Sequence, residues 1–136
     1  MNPTTTDPLL TVAAAARNKA VAPYSNFKVG AAIESLDGSI AAGCNIECAS
    51  FGLTVCAERV ALFKAVSDGS RRFGRIAIVT DAPTLTAPCG ACRQVLWELA
   101  GDIQIIMRNM SGDMASMRLS ELLPYPFEST QFTKKA

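Results

Sequence analysis

Pro88-Cys89-Gly90-Ala91-Cys92-Arg93-Gln94, taken together with Cys56-Ala57-Glu58-Arg59, constrains the architecture of the chain more tightly than any other segment. Cys89 and Cys92 are three residues apart, so in a helix opening at Cys89 both sulfurs lie on one face and can grip one ion. Pro88 suits such an opening. A helix N-terminus carries partial positive charge and unpaired N–H groups, which favour the thiolate over the thiol. The chain has no histidine, so Cys56, Cys89 and Cys92 are the obvious ligands for a metal and Glu58 the obvious group to move a proton.

Three thiolates around a tetrahedral zinc ion leave the fourth position open for water, which distinguishes a catalytic site from a closed structural one. Zinc brings the pKa of such a water near neutrality, and a carboxylate beside it can take the proton and redeliver it. A Cys followed two residues later by Glu, and then by Pro-Cys-x-x-Cys, is the pattern of zinc-dependent deaminases. Three negative ligands over-neutralise a dication, so positive charge is expected close to the sulfurs, and Arg59 and Arg93 are candidates to supply it.

Beyond these segments, the chain resembles the small, homotetrameric, zinc-dependent cytidine deaminases. The resemblance runs from Tyr24-Ser25-Asn26-Phe27 to Leu122-Leu123-Pro124. It is carried by Ser25-Asn26-Phe27-Lys28-Val29-Gly30-Ala31-Ala32, Gly43-Cys44-Asn45-Ile46-Glu47, Thr54-Val55-Cys56-Ala57-Glu58-Arg59 and Ala87 to Gln94. It implies one zinc per subunit on Cys56, Cys89 and Cys92, with Glu58 as a proton shuttle that also contacts the pyrimidine N3. It further implies that Asn45 and Glu47 hydrogen-bond the ribose, that Phe27 packs on the pyrimidine ring and that Ala57 contacts the substrate. Arg59 would donate to the ligand sulfurs, Gln94 would stand behind the metal site, and Phe127 would reach a neighbouring subunit's site. The implied reaction is hydrolytic deamination of cytidine and 2′-deoxycytidine, with release of ammonia, in pyrimidine salvage. The chain departs from the family's usual pattern in having Cys48 after Glu47 and Phe51 where a tyrosine usually stands, so a hydroxyl is lost, which puts in question one hydrogen bond near the site or the subunit contact.

Other readings attach to the same residues. Cys89 and Cys92 alone fit a redox pair, and Cys44 or Cys48 as a fourth thiolate would make the zinc purely structural. Cys44 and Cys48 otherwise read as small packed residues. Phe27 fits a strand core, and Asn45 and Glu47, alternating with Ile46, fit a solvated strand edge. A related deaminase acting on a modified cytosine nucleoside shares the zinc segments.

Composition narrows the partners. A net charge of +1 with no basic run exerts little pull on a phosphate backbone, which argues against a nucleic-acid substrate. Apolar residues are 49% of the chain and charged ones 18%, a balance that leaves apolar surface for subunit contacts. No apolar run approaches the ~18 residues of a membrane span. Met1 to Asp7 show no basic start followed by an apolar core, and five cysteines, an odd number, point to thiols and metal before disulfides, so the expected compartment is the cytoplasm.

One domain over residues 1–136 is expected, with flexible ends at 1–6 and 128–136. Asp7-Pro8 opens a helix that includes Ala13 to Ala16. Phe27 to Ile33 and Ile40 to Asn45 read as strands joined at Asp37-Gly38. Helices over Cys56 to Val66 and Cys89 to Leu99 alternate with strands over Arg75 to Thr80 and Ile103 to Arg108, and Met114 to Leu119 gives a last strand before a short helical turn. This order favours a three-layer α/β/α sandwich around a mixed five-stranded sheet, with the ligand-bearing helix N-termini meeting at one end of it.

Overall fold

The structure, a computed structural model, describes residues 7–132. Helix α1 (Pro8–Arg17) precedes strands β1 (Val29–Ser35) and β2 (Ile40–Cys44), then α2 (Ala57–Ser67), β3 (Phe73–Thr80), α3 (Gly90–Ala100), β4 (Gln104–Asn109), β5 (Met114–Arg118) and the single turn α4 (Leu119–Leu122). The expected ends at 1–6 and 133–136 lie outside the described residues. Glu128, inside the expected loose tail, accepts a hydrogen bond from Trp97 Nε1 at 3.1 Å and leads into a 3-10 turn over Ser129–Gln131.

The sheet order is β2-β1-β3-β4-β5, with β3 and β4 parallel and the other neighbours antiparallel. Strand alternation sorts its side chains to two faces. Ala32, Ala77, Val79 and Ile106 face α1 and its buried Leu9, Leu10 and Ala13. Ala31, Ile33, Ile76, Ile78, Ile105 and Met107 face the other way, onto Ala61, Leu62 and Ala65 of α2, Leu96 of α3 and Leu119 of α4. The result is the expected three-layer α/β/α sandwich.

Helix α1 is fastened at its start. Asp7 caps it by accepting from Leu9 N at 3.0 Å, and the same carboxylate pairs with Arg75 of β3 at 2.5 Å. Arg75 also reaches Glu34 of β1 at 3.0 Å, so one guanidinium joins the helix cap to two central strands. The strong charge-assisted bonds hold the Asp7 carboxyl below the usual carboxylate range, the Arg75 hydrogen bond contributing most.

Sheet register decides where the site forms. Gly30 of β1 pairs with Cys44 on one side and with Val79 on the other, which puts the C-terminal ends of β2 and β3 at the same end of the sheet. The chain leaving β2 leads to α2 and the chain leaving β3 leads to α3. Both helix N-termini therefore open at that end, where open α/β sheets bind ligands.

β1 begins at Val29 rather than at Phe27 because a side chain takes over the ladder there. Asn45 Oδ1 accepts from Val29 N at 2.9 Å and Asn45 Nδ2 donates to Phe27 O at 2.8 Å. The amide imitates a strand neighbour for those two residues and ends the backbone pairing.

Candidate metal and nucleoside site

Cys56 and Cys89 are the N-cap residues of α2 and α3, both with extended backbone (φ −70°, ψ 154° and φ −65°, ψ 164°). That position normally carries Ser, Thr, Asp or Asn, whose oxygen satisfies a free N–H and contributes about 0.5–2 kcal/mol. Neither cysteine makes a side-chain cap bond. Helix stability is forgone at two N-termini that point at one spot, a breach of local preference characteristic of a functional site.

Cys92, in the first turn of α3 and fully buried, completes the group. The three sulfurs lie within 4.8 Å of one another, and Cys56 Sγ is 3.8 Å from Cys89 Sγ. Tetrahedral zinc with Zn–S bonds of about 2.3 Å needs sulfurs about 3.8 Å apart. The thiols thus fit a zinc ion by spacing as well as by donor type. Among the described residues no other group of cysteines or carboxylates converges in this way, and Cys44 and Cys48 are half-buried thiols outside the cluster.

Arg59, one turn into α2, donates from Nη2 to Cys56 Sγ at 3.6 Å, and its buried Nε has no partner. Its charge is held more firmly than usual, chiefly by that bond to Cys56. The Cys56 thiol is pulled down to about 5, first by the hydrogen bond from Cys92 and then by Arg59 against the cost of burial. Cys92 moves the other way, because it donates to Cys56 and is buried. The thiols by themselves share their protons unequally, whereas a bound dication ionises all of them.

Arg93, the other cation expected near the sulfurs, makes its hydrogen bonds to backbone carbonyls. It donates from Nε to Pro88 O and from Nη1 to Leu122 O, each at 2.7 Å. Its guanidinium ties the loop before Cys89 to α4. Gln94 directs its amide to Glu98 Oε2 at 2.8 Å and to Phe127 O at 2.9 Å.

Glu58 occupies the second position of α2 and is 5% exposed. Burial raises its carboxyl to about 7, and the negative Cys56 sulfur adds to the shift. A buried carboxyl beside three cysteines spaced for a metal ion, and near neutrality in its proton affinity, is suited to proton transfer. Ala57, between Cys56 and Glu58, is fully buried.

The residues expected to meet the sugar lie where the strands end. Ile46 bridges Val21 on one side and Val55 on the other, which fixes Asn45 and Glu47 to either side of it. Asn45 is buried and braces Phe27, whose side chain is half-buried. Glu47 accepts at Oε1 from Tyr24 N and Ser25 N, both at 3.0 Å, and at Oε2 from Ser25 Oγ. Phe51 packs edge-on against Tyr24 with ring centroids 5.4 Å apart. Phe127 stands apart from this group, 53% exposed and stacked on Phe132.

Residues 3–107 match the family described as the cytidine and deoxycytidylate deaminase zinc-binding region. The chain is 51% identical over 120 residues to a cytidine deaminase of Halalkalibacterium halodurans, covering 88% of this chain and 91% of that one. A cytidine deaminase of Sporosarcina psychrophila is 45% identical over 89% of this chain and 90% of its own. The crystal structure of cytidine deaminase from Burkholderia pseudomallei superposes with a TM-score of 0.87 at 49% identity, over 91% of this chain and 100% of the other. With its cysteine trio, buried glutamate and sheet of matching form, the chain belongs to the zinc-binding cytidine and deoxycytidylate deaminase family.

Proposed function

We propose that this chain deaminates cytidine and 2′-deoxycytidine hydrolytically to uridine and 2′-deoxyuridine, releasing ammonia, in pyrimidine salvage. The observation that carries this reading is the buried Glu58 set beside three sulfurs spaced for one zinc ion. Cys56, Cys89 and Cys92 would hold that ion, one per subunit. Bound there, zinc supplies Lewis acidity that makes water a competent nucleophile near neutral pH.

The protein's own groups do the rest. Glu58 takes a proton from the attacking water, delivers it to the pyrimidine N3 and then assists departure of the amine at C4 by proton transfer. Phe27 packs on the ring, Ala57 lies against the substrate, and Asn45 and Glu47 read the ribose. Arg59 offsets the charge of the thiolates. Phe127, exposed on this subunit, would enter the site of a neighbour in a homotetramer. A cytoplasmic enzyme acting on free nucleosides fits the small net charge. Among the described residues, no helix is long and apolar enough to cross a membrane.

Glu58→Gln tests the assignment. The variant is expected to keep stoichiometric zinc and the wild-type fold while losing turnover by about a thousand-fold or more. Near-normal turnover in zinc-loaded protein would remove Glu58 from the mechanism.

A further inference from the structure

Ser25 carries a hydrogen-bond chain that none of the roles above uses. Its hydroxyl donates to Glu47 Oε2 and accepts from Phe27 N at 3.1 Å. Asn26 between them has φ 54°, a left-handed kink that folds the Ser25 oxygen back over the following N–H. The Asn26 N–H closes the turn on Ala22 O at 3.0 Å.

A carboxylate offers about four lone-pair positions. On Glu47, Tyr24 N and Ser25 N fill two at Oε1, and Ser25 Oγ fills one at Oε2. One position remains, on the oxygen that Ser25 orients. The single Ser25 proton is already given to Glu47, so the hydroxyl cannot itself donate to a sugar.

We propose that Ser25 is a positioning residue for sugar recognition, holding Glu47 Oε2 so that its one free lone pair meets a single ring hydroxyl of the sugar, at C2′ or C3′. The proposal rests on the reading of Glu47 as the ribose contact. Loss of the hydroxyl leaves the two backbone donors on Oε1, so the loop stays clamped while Oε2 loses its orientation. Phe27 stays in place through Asn45, which donates to its carbonyl at 2.8 Å. The cost therefore falls on the sugar and not on the base.

The test compares Ser25→Ala, Ser25→Thr and Glu47→Gln in zinc-loaded enzyme, with KM and kcat for cytidine and the inhibition constant of 2′,3′-dideoxycytidine, which lacks the 2′ and 3′ hydroxyls and keeps the 5′ one. For Ser25→Ala, KM for cytidine should rise about ten-fold with kcat little changed, binding of the dideoxy compound should stay near wild type, and Thr should restore KM. Zinc content and melting temperature should match wild type. An equal loss of affinity for both compounds, a fall in kcat alone, or a loss that Thr fails to rescue would overturn the proposal. Glu47→Gln separates the two layers. If it too shows no preference for losing cytidine, the ribose reading falls and takes Ser25's role with it. If it does and Ser25→Ala does not, only the role of Ser25 fails.

Discussion

Replacing Gly43 by alanine puts a methyl group between β2 and the helix that carries Cys56 and Glu58. An added Cβ would lie 2.5 Å from Ala61 N, 2.8 Å from Ala57 O and 3.0 Å from Val60 Cβ. Two of these are backbone atoms of α2 and cannot rotate away. Ordinary contact begins at 3.4 Å, so α2 must retreat by roughly 0.6 to 0.9 Å in a closely packed interior. Overpacking of that kind costs about 1–3 kcal/mol of stability. The same shift separates Cys56 from Cys89 by more than the ~0.2 Å that metal–ligand distances tolerate. It also carries Glu58 away, and misplacement of about 1 Å can cost about a hundred-fold in rate. Chemical denaturation, zinc affinity by chelator competition, and kcat/KM for cytidine would each register the change. Gly30→Ala is the control, because its Cβ would meet Ala13 O at 2.0 Å and Arg17 N at 2.4 Å, on the opposite face of the sheet. It should destabilise at least as much through α1 while its folded fraction keeps near-normal zinc affinity. Wild-type stability and zinc affinity in Gly43→Ala would refute the packing argument.

Asp7→Ala should lower stability at neutral pH by about 1–2 kcal/mol through the lost cap. Because pairing with Arg75 lowers the folded-state pKa of Asp7, that difference is fully present above the ordinary value of 3.8 and should fade as pH falls through the lowered value, as denaturation curves across acid pH would show. Arg59→Met should retain zinc by metal analysis yet lower kcat, because the Cys56 thiolate loses its cationic donor and leaves the ion a weaker Lewis acid. Unchanged kcat would mean that the guanidinium serves only packing.

The convergence of Cys56, Cys89 and Cys92 was legible in the sequence because metal chemistry constrains such a pattern tightly. Cys56-Ala57-Glu58 and Pro88 to Cys92 fix residue type and spacing together, and both cysteines do open helices. The three layers followed from the order of elements, a helix, a hairpin and then alternating helices and strands, and the sheet does carry α1 on one face and α2 and α3 on the other. What stayed hidden depends on contacts between distant parts of the chain. Arg93 directly follows Cys92, which directs attention to the sulfurs, whereas its bond to Leu122 O joins segments that meet only in the folded chain. Ser25 sits in a recognisable stretch, yet its bond to Glu47 spans 22 positions and leaves no periodic signal. The 3-10 turn at Phe51–Leu53 is likewise too short to imprint a pattern.

Loss of ultraviolet absorbance, followed after zinc-quantified protein is mixed with cytidine, 2′-deoxycytidine or free cytosine, probes the deaminase reading at its root. Both nucleosides should be turned over and the base should not, with activity lost in Glu58→Gln. Fully zinc-loaded, folded protein that is inert toward both nucleosides would contradict that reading.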